Sequence, residues 1–292
     1  MGKYSPKIDL VFRKLFGSEE NTDLLLSLIN GVLDCNPRLT ALTLRNPYNL
    51  SSYVGGKTSI LDIKAVDAQG CQYDIEMQIG EHGFYGKRAL YYLSKMYVDQ
   101  LGEGQGYSTL NTTIGIHLID FAYFPDDRYR RHFVFKDMET DEYLEHLSYQ
   151  QLYFIEMSKF RKDWHELATL LDRWIAFLNK AQKLSREEIP PALQVEPEIV
   201  KALEKLEVVS FNAQEQEIYE AELKARLDDQ EELRTAEAKG EARGEARGEA
   251  RGEVIGREKA LMSTARNLLH KGMAVEMIAE VTGLSIDDIQ RL

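Results

Sequence analysis

Two short alternating runs hold the residues best suited to chemistry. In Leu61-Asp62-Ile63-Lys64-Ala65 the strand period of two puts Asp62 and Lys64 on one face and Ile63 and Ala65 on the other. In Asp74-Ile75-Glu76-Met77-Gln78-Ile79 the same period groups Asp74, Glu76 and Gln78 against Ile75, Met77 and Ile79. An antiparallel hairpin closed over the turn at residues 67–71 sets Val66 opposite Gln72, Lys64 opposite Asp74 and Asp62 opposite Glu76, a register that one residue of slip would destroy. Two carboxylates about 5 Å apart on neighbouring strands repel, and a cation relieves the repulsion. Mg²⁺, or Mn²⁺ in its place, suits such oxygen ligands, keeps several waters and turns one towards a nucleophile while neutralising a phosphodiester. In that chemistry Lys64 is placed to stabilise transition-state charge and Gln78 to hold a water or phosphate oxygen. An exposed sheet face with Lys64 and Asp74 as a surface ion pair has the same pattern, so the hairpin alone leaves both readings open.

The flanking elements must position these strands. Upstream, Ile8, Val11, Phe12, Leu15 and Phe16 make one helical face that Gly17 is placed to end, and residues 18–33 carry Leu24, Leu25, Leu28, Ile29 and Leu33 at helical spacing. Strand-length runs follow at 40–46, 58–66 and 71–79, then a helix over 85–100, a glycine-rich break and a strand in Thr112-Thr113-Ile114-Gly115-Ile116 and onward. The order reads α-β-β-β-α-β. A β-rich stretch at 130–135, the region 144–160 and a strong helix at 164–181 complete a main domain expected to span 1–188.

Composition narrows the functional classes. With 292 residues, 43% hydrophobic and 29% charged, the chain has the make-up of a soluble globular protein. It has no apolar run of the roughly 20 residues a membrane span needs and no signal-peptide pattern at its start, so a cytoplasmic protein without a membrane partner is expected. Lys plus Arg is 36 against 48 Asp plus Glu, a net charge of −12, which argues against unspecific coating of nucleic acid. Charges are screened beyond about 8 to 10 Å, so a local basic patch with a bound cation remains compatible with phosphate. The two cysteines, Cys35 and Cys71, read as buried thiols, and the six histidines show no metal-ligand spacing. His82, the one near the hairpin, reads as a loop residue.

The element order, with Asp62 on the second strand and Glu76-Met77-Gln78 on the third, resembles the PD-(D/E)XK nuclease superfamily. Within it the chain is most similar to the Rpn (recombination-promoting nuclease) and PD-(D/E)XK transposase family, on Lys7, Asp9, Phe12, Lys14 and Phe16 near the start, Arg88, Tyr91 and Tyr92 on the following helix, and Gly104-x-x-Tyr107 leading into Ile114-x-Ile116. The resemblance implies an α/β, restriction-endonuclease-like core with a C-terminal helical extension, and metal-dependent cleavage of DNA with Asp62 and Glu76 as metal ligands. Gln78 stands where the superfamily has lysine, and Lys64 or Arg88 is available to replace that cation. On the helix over 85–100, Arg88, Tyr92, Lys95 and Asp99 form one polar stripe, read as a phosphate contact in view of the neighbouring site. Asp9 and Lys14 are second-tier candidates, Asp9 as an extra acid reaching the site or as a first-turn acid favoured by the helix dipole. A nuclease-like domain without turnover, serving as a DNA-binding or protein-interaction module, is the competing reading.

Beyond residue 188 three prolines suggest a linker over 189–212. Residues 213–259 are charge-rich, with Gly-Glu-Ala-Arg repeats that place glycine at 240, 244, 248, 252 and 256. Each Gly costs a helix about 1 kcal/mol relative to Ala, so this segment reads as a marginal helix, serving as a spacer or as an oligomerisation stripe for a homo-oligomer. In residues 260–292, Gly283 in a turn and Ser285 as an N-cap suggest a helix-turn-helix joint. With Asp287 and Asp288 on its short second helix, it reads as a helical cap or protein-contact module before a DNA reader.

Overall fold

The hairpin forms in the computed structural model with the expected register. The structure describes residues 4–45, 62–80, 83–184 and 189–292. Helix α1 (Asp9–Phe16) buries Leu10, Val11, Phe12, Leu15 and Phe16, and Gly17 ends it. A Cβ on Gly17 would lie 2.7 Å from the Arg13 carbonyl oxygen, so a larger residue cannot make that turn unchanged. Helix α2 (Thr22–Leu33) buries Leu24, Leu25, Leu28, Ile29 and Val32. Strands β1 (Leu42–Leu44), β2 (Asp62–Asp67) and β3 (Gln72–Gln78) follow, with Asp62 opposite Glu76, Lys64 opposite Asp74 and Val66 opposite Gln72. Asp67 holds the turn, its Oδ1 accepting from the Gln69 and Cys71 amides and its Oδ2 from the Tyr73 hydroxyl at 2.8 Å. Gly70, at φ +86°, makes the left-handed step that favours glycine.

Helix α3 (Tyr85–Val98) crosses over to β4 (Thr113–Ile119), which runs parallel to β3. Strand β5 (Arg130–Phe133) then lies antiparallel to β6 (Gln150–Glu156), which is parallel to β4. Among the described residues the mixed sheet therefore has six strands in the order β1-β2-β3-β4-β6-β5, with a three-residue strand at one edge and a four-residue strand at the other. The helix expected over 164–181 is shorter. Its first turn is a 3₁₀ segment and α4 begins at Leu170, because the Thr169–Asp172 capping box sets the start (α4, Leu170–Lys180).

The two sheet faces pack against different helices. Ile63, Ala65, Tyr73, Ile75 and Met77 join α1, α2 and α4 in one apolar core around Trp174 and Phe177. On the other face Tyr85, Ala89 and Leu93 of α3 pack with Ile119, Leu152 and Phe154. Asp74, Glu76 and Gln78 alternate with the core residues and are nevertheless buried. The open, solvated face that the sequence left as an alternative is therefore excluded for these three.

The stretch read as a linker differs in the structure. Residues 189–212 hold α5 (Pro191–Gln194) and α6 (Pro197–Val208), whose Leu193, Ile199, Ala202, Leu203 and Leu206 are buried in the main core. The prolines stand in first turns, where the missing N–H has no helical partner to lose, so they start helices here instead of breaking them. The chain divides into compact units at 1–227 and 228–292, and α7 (Ala213–His270) begins in the first and continues in the second. In the second unit, α8 (Val275–Thr282) and α9 (Ile286–Gln290) enclose Ala265, Ile278 and Ile289, with Gly283 at φ +72° and the Ser285 hydroxyl accepting from the Asp288 amide. Cys35 is exposed and not buried as expected, since it follows the end of α2, whereas burial pushes the half-buried Cys71 thiol up to about 12. Among the described residues no helix is long and apolar enough to cross a membrane.

Candidate active site

The alternation of β3 carries Glu76 beneath α3, where it is 3% exposed. A buried carboxylate is costly unless paired, and two elements pair it. Arg88, one turn into α3, donates from Nη2 to Glu76 Oε1 at 2.6 Å. His117, the residue opposite Glu76 on β4, places Nδ1 3.2 Å from Oε2. The same Nδ1 lies 3.0 Å from the Tyr85 hydroxyl, and which of the two donates follows from the imidazole tautomer. Arg88 remains 28% exposed and, among the described residues, its buried Nε has no hydrogen-bond partner.

Two residues along the strand, Gln78 is 5% exposed and shares the face of Glu76. Its Nε2 donates to the Ile79 carbonyl at 3.3 Å, while its buried Oε1 has no partner among the described residues. Near the same strand end, the Asp120 amide donates to the Gln78 carbonyl, and Lys7 Nζ reaches Asp120 Oδ2 at 2.6 Å.

Asp9, in the first turn of α1, belongs with this group. Burial raises its carboxyl well above the ordinary range, and the charges of Glu222 and Glu76 raise it further, against Arg88 and Arg13. Glu222, on the first part of α7, accepts from the Leu10 amide through Oε2 at 3.4 Å. Unbonded amides at a helix start attract such acids.

The other expected residues separate. Asp62 opens β2 opposite Glu76, and its side chain lies outside the described residues. Lys64 is half-buried opposite Asp74. Tyr92 is half-buried beside Arg88, whose guanidinium lies 5.7 Å from its ring centre, and Lys95 is exposed and paired with Asp99 at 3.2 Å. Lys14 turns from the group to the start of α7, bonding Glu215 at 2.7 Å and the Ser210 carbonyl at 3.1 Å, because five residues along a helix separate it from the Asp9 face.

Residues 6–236 match the family described as PD-(D/E)XK nuclease family transposase. The chain belongs to that family. Residues 258–292 match a second description, the Rpn/YhgA-like nuclease family, C-terminal HTH domain, which corrects the reading of this module as a helical cap or protein-contact piece. The acidic α9 misled that reading, although the joint itself, Gly283 and Ser285, was visible. No curated protein and no solved structure matches the chain.

Divalent metal ions are general requirements of PD-(D/E)XK nucleases. Among the described residues no three His, Cys, Asp or Glu side chains are gathered as a finished metal site. The donor chemistry nevertheless fits one: the Glu76 carboxylate and the unpartnered Gln78 amide oxygen are hard oxygen ligands on one strand face. For this PD-(D/E)XK family member, sequence reasoning missed His117, Tyr85 and Glu222. The parallel register that sets His117 beside Glu76 leaves no mark in a single sequence. Glu222 did leave one, since Ile218, Tyr219 and Leu223 give the start of α7 an apolar stripe that the later repeats lack.

Proposed function

We propose that the protein is a divalent-metal-dependent DNA endonuclease that hydrolyses phosphodiester bonds, serving recombination, transposition-like events or defence against foreign DNA. The observation that carries this reading is Glu76, buried opposite Asp62 and held by Arg88, with the unpartnered Gln78 oxygen on the same strand. Asp62, Glu76 and Gln78 would hold the ion, Mg²⁺ or Mn²⁺, which when bound supplies an activated water and neutralises phosphate charge. Arg88 orients Glu76 and carries positive charge at the edge of the site, where it can meet a phosphate oxygen. Lys64 stands on the neighbouring strand for the same purpose. Tyr92 and Lys95 extend the contact along the DNA backbone, and the C-terminal HTH module gives a second hold on DNA.

Cleavage of supercoiled plasmid by wild type and Asp62→Ala, each with Mg²⁺, Mn²⁺ or EDTA, tests the proposal. Metal-dependent nicking or linearisation by wild type alone is expected; cutting by the pure variant would sink the assignment of Asp62. The ion pair between Arg88 and Glu76 favours one other reading, a nuclease-like module that binds DNA or protein without turnover and is oligomerised through α7. Absence of cutting by wild type in every metal, with DNA binding retained, is the result that reading requires.

A further inference from the structure

Helix α3 has an outer face that shares only Lys95 with the DNA contact described above. Phe84, Lys87, Tyr91, Lys95 and Val98 are exposed and recur every three or four residues, which aligns them along one outer stripe. Arg88 and Tyr92 occupy the flank between this stripe and the buried face, so the stripe borders the residue that holds Glu76. Its composition is unusual for a chain of net charge −12. The helix contains Lys87, Arg88 and Lys95 and no Asp or Glu along Tyr85–Val98.

Two of the exposed residues are aromatic. Phe84 is 78% exposed and Tyr91 64%. Phe84 also has φ +68°, a left-handed conformation that is a genuine outlier for a bulky residue. Glycine at this position would avoid both the strain and the exposed ring, so folding alone gives no account of phenylalanine here. Lys87 Nζ lies 5.0 Å from the Phe84 ring centre, joining a cation to one aromatic surface. Exposed rings interleaved with cations are what unpaired bases require: rings for stacking and cations for the phosphates between them. Paired bases in a duplex are stacked on each other and offer no such faces.

We propose that the outer stripe of α3, from Phe84 through Lys87 and Tyr91 to Lys95, is a stacking platform for unpaired DNA bases beside Glu76. This rests on the DNA reading above and adds a substrate class to it: DNA with single-stranded or extruded nucleotides at the point of attack.

The test measures binding of the full chain in EDTA, so that cleavage plays no part, to a fluorescent single strand and to the matching duplex. Wild type should bind the single strand more tightly. Phe84→Ala and Tyr91→Ala should each weaken single-strand binding by about tenfold and change duplex binding by less than about twofold. Phe84→Tyr should retain binding. Phe84→Gly separates recognition from a structural role, since it relieves the backbone and should raise Tm while weakening single-strand binding as much as alanine does. Equal losses on both DNAs, unaltered binding in the alanine variants, or no preference of wild type for the single strand would each overturn the platform. Plasmid cutting by wild type together with any of those results leaves the nuclease reading standing, and platform-dependent binding by a protein that never cuts leaves the platform standing without it.

Discussion

Along β3 the two faces of the central sheet are buried to similar depth and made of opposite materials. Ile63, Ile75 and Met77 face α1, α2 and α4 with apolar side chains, while Asp74, Glu76 and Gln78, interleaved with them on the same strand, lie beneath α3. Burial stabilises the first set at about 25 cal/mol per Å² of apolar surface, whereas it costs the second set hydration that Arg88 and His117 only partly replace. The contrast within one strand separates the residues that keep the protein folded from those proposed above to do its chemistry.

The sharpest test of that contrast exchanges Glu76 and Arg88 together. Glu76→Gln combined with Arg88→Met should lower DNA cleavage at least about a hundredfold, a loss of the size seen when a preorganised charged group is removed. Melting should show Tm unchanged or raised, because apolar replacement of a buried ion pair is often neutral or stabilising. A large fall in Tm would make this face structural and break the comparison. On the opposite face, Trp174→Ala removes a fully buried indole and its 3.1 Å bond to Ser27 and should cost about 3–5 kcal/mol in denaturant unfolding. Protein that remains folded should keep its cleavage rate per molecule.

The smallest effect belongs to Asp9. Its folded carboxyl titrates above 3.8, the ordinary value, so the native state binds more protons than the unfolded chain as pH rises past that point. Stability should fall over that interval and level off above the folded value. Asp9→Asn removes that slope, and in EDTA it should raise Tm at pH 8 more than at pH 4. A parallel pH profile for wild type and variant would show that Asp9 is not held beside Glu222 and Glu76.

Much of this arrangement was legible because strand alternation is local. The hairpin register followed from residues 62–78 alone, and α1 and α2 from the spacing of leucines and phenylalanines. What escaped depended on distant parts of the chain. Glu222 meets the amide of Leu10 across most of the first unit, and Lys14 was drawn off by Glu215 for the same reason. The prolines misled because the same residue ends one helix and begins another, and only the buried Leu193 and Ile199 distinguish the cases. The HTH module was under-read because charge on one short helix was weighed above the joint that shapes it.

The brevity of the sheet's two outer strands bears on how the protein tolerates its own concentration. An unpaired strand edge is a template for adding strands from other chains, and the risk grows with its length and hydrophobicity. Here β1 offers three residues, and β5 reads Arg-Arg-His-Phe with each polar side chain already committed: Arg130 to the Val32 carbonyl, Arg131 to Asp126 and His132 to Gln151. Such borders oppose edge-to-edge aggregation, and a four-stranded interior of buried pairing stays shielded from fibrous growth.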